Sequence, residues 1–267
     1  MNTTPNYLEI NKKTWNEKVP VHIDSAFYEM EAFKAGKSSL KEIELDLLGD
    51  IKGKSILHLQ CHFGQDTISL ARMGARVTGI DLSDAAITKA EEVAAELNVD
   101  ASFICCDVYS LPQVLDEKFD IVFTSYGTIG WLPDMDKWAE VVAHFMKPGG
   151  SFVFAEFHPV VWMFDNDLKY VQYPYFKAEP ILETESGTYA DRENEKQFSS
   201  MTWNHGIGEV FMALKKQGLD IEVLKEYDYS PYNCLANMVE TGPDEYRVAH
   251  LNGLIPLVYA LKASKPD

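Results

Sequence analysis

From residue 55 onward the chain alternates short apolar runs with amphipathic stretches. Ser55-Ile56-Leu57-His58-Leu59 is an apolar run of strand length, followed by a segment carrying Ile68, Leu70 and Ala71 that stops at Gly74. Glycine is a common helix terminator, so the pattern predicts strand, helix, then a new strand over Arg76–Ile80. Ser83 is placed to cap a second helix whose apolar positions are Ile87, Ala90, Ala94 and Leu97. Strands are predicted at Ser102–Cys106, Phe119–Thr124 and Ser151–Ala155. Between the last two, Trp138, Val141, Val142 and Phe145 mark a helix by their i, i+3, i+4, i+7 spacing, stopped by Pro148-Gly149-Gly150. Such alternation calls for a parallel sheet with helices on both faces, a doubly wound α/β fold.

The pattern changes after residue 156. Ten of the 47 residues from 157 to 203 are aromatic, about 21% against 12% for the whole chain, and no long helical period runs through them. This segment reads as an insertion of loops and short strands. Ile207, Val210, Phe211 and Leu214 then mark a helix closed by Gly218, followed by strand-like runs at Leu219–Leu224 and Leu257–Leu261. Pro256 belongs at the entrance of the last run, since proline inside a central strand breaks the ladder. The expected plan is one domain over 1–267. It has an N-terminal cap (1–50, helical around Leu40–Leu48), a ligand-binding half (51–156), the aromatic insertion (157–203) and a C-terminal helix with two strands (204–267).

Composition narrows the function. The formal net charge is −17, from 41 acidic and 24 basic residues, and that field repels polyanions, so nucleic acid is not an expected partner. The first residues lack a basic stretch followed by an apolar core, and no apolar run approaches the ~20 residues needed to cross a bilayer. A cytoplasmic location without membrane association is expected. Cys61, Cys105, Cys106 and Cys234 form no C-x-x-C pair, so reduced, mostly buried thiols and no metal centre are expected.

In open α/β sheets ligands bind beyond the carboxyl ends of the strands. Those ends carry Gln60-Cys61-His62-Phe63-Gly64, then Asp81-Leu82-Ser83, then Asp107-Val108, then Ser125-Tyr126-Gly127. A carboxylate at position 81 can accept from both hydroxyls of a ribose, and it follows Gly64 at a distance suited to one βαβ step. These segments, with Phe119-Asp120-Ile121-Val122 and Met146-Lys147-Pro148-Gly149-Gly150, resemble the class I S-adenosylmethionine-dependent methyltransferase family over residues 55–156. The later helix and two strands are similar to that family's terminal antiparallel hairpin, which implies a seven-stranded, mostly parallel sheet.

The resemblance implies S-adenosylmethionine as cofactor. It places the ribose on Asp81, the adenine against Leu82, Asp107 and the Val108 backbone, and the methionine part on the loop of Gln60, His62 and Gly64. Ser125 borders the same site. The loop departs from the family pattern, which has an acidic residue and then alternate glycines. Here His58, Gln60 and His62 take those places, and only Gly64 is kept. Glycine serves there because backbone approaches a ligand closely or φ is positive, so one of the Gln60 and His62 side chains is expected to hydrogen-bond the cofactor.

Methyl transfer from a sulfonium is an in-line displacement in which alignment supplies much of the rate. An O or N acceptor that loses a proton can use a base; His158 and Tyr126, past the fifth and fourth strands, are the candidates. Trp15, His22, Tyr28 and Trp131 are the expected acceptor-side residues, and the aromatic insertion the roof over them. The Pro-Pro-aromatic and Pro-Cys signatures of nucleic-acid methyltransferases are missing after the fourth strand. The expected partner is therefore a small-molecule methyl acceptor, with monomer or homodimer both open. A nicotinamide oxidoreductase is the poorer alternative, because the chain lacks G-x-G-x-x-G after its first strand. A non-catalytic cofactor-binding or regulatory protein is the other, kept open by the altered loop.

Overall fold

A computed structural model describes residues 6–267 of the chain. Helices α1 (Tyr7–Ile23), α2 (Met30–Lys34) and α3 (Glu42–Leu48) precede the alternating part. That part runs β1 (Ser55–Leu59), α4 (Gln65–Arg72), β2 (Arg76–Asp81), α5 (Asp84–Glu96), β3 (Ala101–Cys105), β4 (Phe119–Ser125), α6 (Met135–Phe145) and β5 (Met146–Phe157). The hairpin β6 (Ile181–Ser186) and β7 (Gln197–Thr202) follows, then α7 (Ile207–Lys216) and β8 (Asp220–Tyr227). The hairpin β9 (Met238–Gly242) and β10 (Glu245–Val248) precedes the last strand, β11 (Val258–Ser264).

The main sheet has seven strands in the order β3-β2-β1-β4-β5-β11-β8. β1 pairs with β2, β2 with β3 and β4 with β5 in parallel, whereas β11 is antiparallel to both β5 and β8. This is the doubly wound sheet with a terminal antiparallel pair that the alternation and the resemblance implied. β1 is buried along its whole length, as a strand covered on both faces must be. Ser83 caps α5 by accepting from the Ala86 N–H at 3.0 Å, and Pro256 lies just outside the β11 ladder.

The chain divides into two compact units. The first comprises residues 1–40, 51–117 and 180–202; the second comprises 41–50, 118–179 and 203–267.

Three features depart from the sequence reading. The long helix α1 was not foreseen: its buried positions, Asn11, Thr14, Val19 and His22, are mostly polar and leave no apolar stripe to detect. Asn11 and Thr14 instead hydrogen-bond the β7 backbone at Met201 and Ser199. The sequence pattern also assigns no element to the stretch that forms the β9–β10 hairpin. None of the four cysteines is in a disulfide, but only Cys61 is buried; Cys105 is exposed and Cys106 and Cys234 are half-buried. The reason is topological, since Cys105 ends the strand at the edge of the sheet. No helix among the described residues is long and apolar enough to cross a membrane.

Candidate active site

In the first unit the loop after β1 carries positive φ at alternate residues: Gln60 at 57°, His62 at 50° and Gly64 at 79°. Two L-residues therefore adopt the left-handed backbone that usually selects glycine, at a cost of ~1–2 kcal/mol each. Asp81, at the end of β2, holds the loop there. Its Oδ2 accepts from the His62 N–H at 2.9 Å and its Oδ1 from the Ser83 N–H at 2.8 Å. Burial pushes the Asp81 carboxyl up to about 6 despite these backbone donors. Asp81 thus joins the first loop to the start of α5, and a carboxylate with about four lone-pair sites keeps capacity for further donors. Leu82 lies in the same turn.

Asp107, at the end of β3, caps the short 3-10 helix Val108–Gln113 by accepting from the Tyr109 N–H at 2.9 Å, and Val108 is buried. His58, where the family has an acidic residue, is a buried residue of β1 whose Nδ1 lies 2.8 Å from Thr67 Oγ1.

Helix α1 reaches the loop after β1 and the turn after β2. Asn16 Oδ1 accepts from Ser83 Oγ at 2.6 Å, Asn16 Nδ2 donates to Asp84 at 3.0 Å, and Lys12 pairs with Asp84 at 2.9 Å. Further along the helix, His22 Nδ1 lies 3.0 Å from His62 Nε2. Tyr28 stacks on His22 with ring centroids 5.4 Å apart, and Trp15 meets His62 edge-on at 5.1 Å. Of the four acceptor-side candidates, Trp15, His22 and Tyr28 therefore gather around one candidate cofactor residue, His62. Tyr189, missed in the sequence, joins them: its ring is 4.9 Å from His22 and its hydroxyl hydrogen-bonds that of Tyr28. It was one aromatic in an aromatic-rich segment, with no spacing to single it out.

Burial drives His22 down to about 3 and His62 well below the usual histidine range, with the nearby Lys18 cation adding to both. Lys18 itself, 5.2 Å over the Trp15 ring, is pushed down to about 8 by burial. His22 Nε2 and His62 Nδ1 are buried and have no hydrogen-bond partner among the described residues. Buried polar atoms are nearly always satisfied, so the two open ring nitrogens, one on α1 and one on the loop after β1, fit a polar ligand.

In the second unit Ser125 ends β4 and Tyr126 follows at φ 37°. The Tyr126 hydroxyl donates to Glu44 Oε2 at 2.7 Å. Trp131 Nε1 donates to the Gly127 carbonyl at 2.8 Å. His158 Nδ1 accepts from the Val160 N–H at 3.2 Å and its Nε2 is 2.9 Å from Glu226 Oε1, so both ring nitrogens are engaged. Burial lowers its pKa, with Glu226 opposing. The sequence reading missed Glu156. This buried carboxylate accepts from the Gly127 and Phe157 N–H groups on one oxygen and from the Thr128 N–H, Thr128 Oγ1 and Ile129 N–H on the other. It fixes the loop after β4, and burial raises its pKa against those donors. An acidic residue inside an apolar strand was the available signal.

The strand order defines a doubly wound α/β sheet. Residues 56–150 match the family model of the methyltransferase domain. The chain is 34% identical to a ubiquinone biosynthesis O-methyltransferase of Alkalilimnicola ehrlichii over 108 residues, 40% of this chain and 43% of that protein. It is 27% identical to phosphoethanolamine N-methyltransferase 1 of Triticum aestivum over 219 residues, 78% of this chain and 42% of that protein. The chain thus spans less than half the length of these curated relatives. The crystal structure of an S-adenosylmethionine-dependent methyltransferase from Mesorhizobium loti superposes with a TM-score of 0.56 at 19% identity. It covers 89% of this chain and 97% of that one, a likeness of fold.

Proposed function

We propose that this protein transfers the methyl group of S-adenosylmethionine to an O or N atom of a small molecule. The observation that carries the reading is the grouping, in the first unit, of Asp81, Asp107 and the left-handed loop at the ends of adjacent parallel strands, with α1 hydrogen-bonded to that loop and to the turn after β2. The O- and N-methyltransferases among the relatives support the acceptor atoms. The bound cofactor supplies an activated methyl group on a sulfonium.

The chain's own residues supply orientation and dryness. Asp81 is placed to take the ribose hydroxyls, with Leu82 and Val108 as apolar neighbours of the adenine and Asp107 as acceptor for its amino group. His62 faces the methionine end, and Trp15, His22 and Tyr28 face the acceptor. Alignment in a water-poor site can supply ~7–11 kcal/mol of the barrier. Tyr126 and His158 are each committed to partners within the fold, which favours a transfer driven by positioning over one driven by either as a strong base.

The test is thermal unfolding with S-adenosylmethionine, S-adenosylhomocysteine and NAD in parallel, followed by release of S-adenosylhomocysteine with a panel of phenolic and amine acceptors. A ligand at a hundred times its Kd adds ~2.7 kcal/mol. The reading requires a rise in Tm with both sulfur ligands, none with NAD, and turnover with at least one small acceptor. No rise with either sulfur ligand removes it; binding without turnover favours a regulatory role.

A further inference from the structure

His22 and His62 do more than touch. Their contact is a nitrogen-to-nitrogen hydrogen bond, 3.0 Å from His22 Nδ1 to His62 Nε2, so one proton lies between the rings. Burial keeps both rings neutral, and a neutral imidazole carries one N–H and one bare nitrogen. Only two arrangements satisfy both conditions. If His22 Nδ1–H donates, His62 must hold its proton at Nδ1, and His22 Nε2 is bare. If His62 Nε2–H donates, His62 Nδ1 is bare and His22 Nε2 holds a proton. The two outer nitrogens are therefore always opposite in character, one donor and one acceptor. Both are buried and neither has a partner among the described residues. Trp15, Tyr28, Tyr189 and Phe63 pack around the pair, with ring centroids 4.2–6.0 Å from one or the other imidazole. Few waters can compete there, so what binds at one end sets the other.

We infer that the pair is a tautomer relay between the two ligands: the cofactor's carboxylate, taken by His62 Nδ1–H, leaves His22 Nε2 as a bare acceptor for the O–H or N–H of the methyl acceptor. The inference rests on the proposed methyltransferase function. It explains why the loop carries histidine where glycine is usual, since glycine has no side chain to reach α1. It also gives the acceptor site an order of assembly: His22 accepts only once the carboxylate has fixed His62. The acceptor class that fits is a neutral hydroxyl or amine with a proton to donate, in preference to a tertiary amine or a thioether.

The test uses the 267-residue chain with 15N-labelled histidine, read by two-bond nitrogen–proton correlation, which distinguishes the tautomers directly. With S-adenosylhomocysteine both His22 and His62 are expected in the Nδ1–H form. 5′-Methylthioadenosine, which lacks the amino-acid portion, is expected to leave their populations as in the unliganded protein. Calorimetry gives the second readout. His22→Phe should weaken S-adenosylhomocysteine by about tenfold or more, the scale of one hydrogen bond to a charged group. His22→Asn, whose amide N–H can stand where Nδ1–H stood, should restore most of the affinity. His62 in the Nε2–H form with ligand bound, the two rings in opposite tautomers, or wild-type affinity in His22→Phe each overturns the relay. If the wild-type chain does not bind S-adenosylhomocysteine, the proposed function falls first and the relay with it.

Discussion

Alanine at position 64 tests how the first loop is built. Gly64 sits at φ +79°, and an added Cβ would lie 2.8 Å from Phe103 Cε1 and 2.9 Å from the Ala90 Cβ. Left-handed backbone costs an L-residue ~1–2 kcal/mol, and forcing a methyl into a packed site typically costs ~1–3 kcal/mol. The stiffer unfolded chain returns only ~0.4–1 kcal/mol. Gly64→Ala should therefore lose ~2–4 kcal/mol, a drop in Tm of roughly 5–15 °C at about 2–4 °C per kcal/mol for a chain of this size. Gly218 is the control. It has φ +76° and no atom within 4 Å of an added Cβ, so alanine there meets the backbone cost without the overlap. Gly218→Ala should cost ~1 kcal/mol, or roughly 2–4 °C. Thermal unfolding followed by circular dichroism compares the two. If Gly64→Ala melts no lower than Gly218→Ala, packing against Phe103 and Ala90 is not what retains glycine at 64.

Asp81 gives the fold a pH dependence. Its carboxyl rises from 3.8 to about 6 on folding, so between these values the native chain holds a proton the unfolded chain has released. Its contribution is most favourable below the lower value and declines as pH rises through about 6, by ~3 kcal/mol in all at ~1.4 kcal/mol per unit. Urea unfolding of wild type and Asp81→Asn at about pH 4 and about pH 7 should show the difference moving in the variant's favour; a constant difference rejects this. Glu156→Gln can keep an acceptor for only one of the two sets of N–H donors around it. Hydrogen exchange should then quicken by about tenfold or more in one of the two sets, either Gly127 and Phe157 or Thr128 and Ile129, as expected for ~1–3 kcal/mol per orphaned donor. Unchanged exchange there sinks the clamp. Asn16→Ala removes the tie from α1 to Ser83 and Asp84 and should cost ~1 kcal/mol of stability. It should also weaken S-adenosylhomocysteine in calorimetry, and wild-type affinity would separate α1 from the cofactor site.

Periodicity was enough for the sheet. Strands buried on both faces read as apolar runs, helices between them show spaced apolar positions, and glycines and prolines punctuate the two; these are local properties of the chain. Position also exposed Asp81 and Asp107, because a residue at the end of a parallel strand stands on the ligand side whatever its surroundings. Tertiary structure decided the rest. Glycine at 64 was legible as needed, but positive φ and a crowded Cβ leave the same mark in sequence. The fold separates them: Gln60 and His62 carry side chains at positive φ, and Gly64 faces Phe103 and Ala90. Helix α1 escaped because its buried face is polar and is satisfied by partners more than sixty residues away, at Ser83, Ser199 and Met201. For the same reason His22 and His62, forty residues apart, and Glu156 with its loop after β4 emerged only in three dimensions. Hydrogen bonds between distant segments obey no spacing rule along the chain, and those bonds give this site its chemistry.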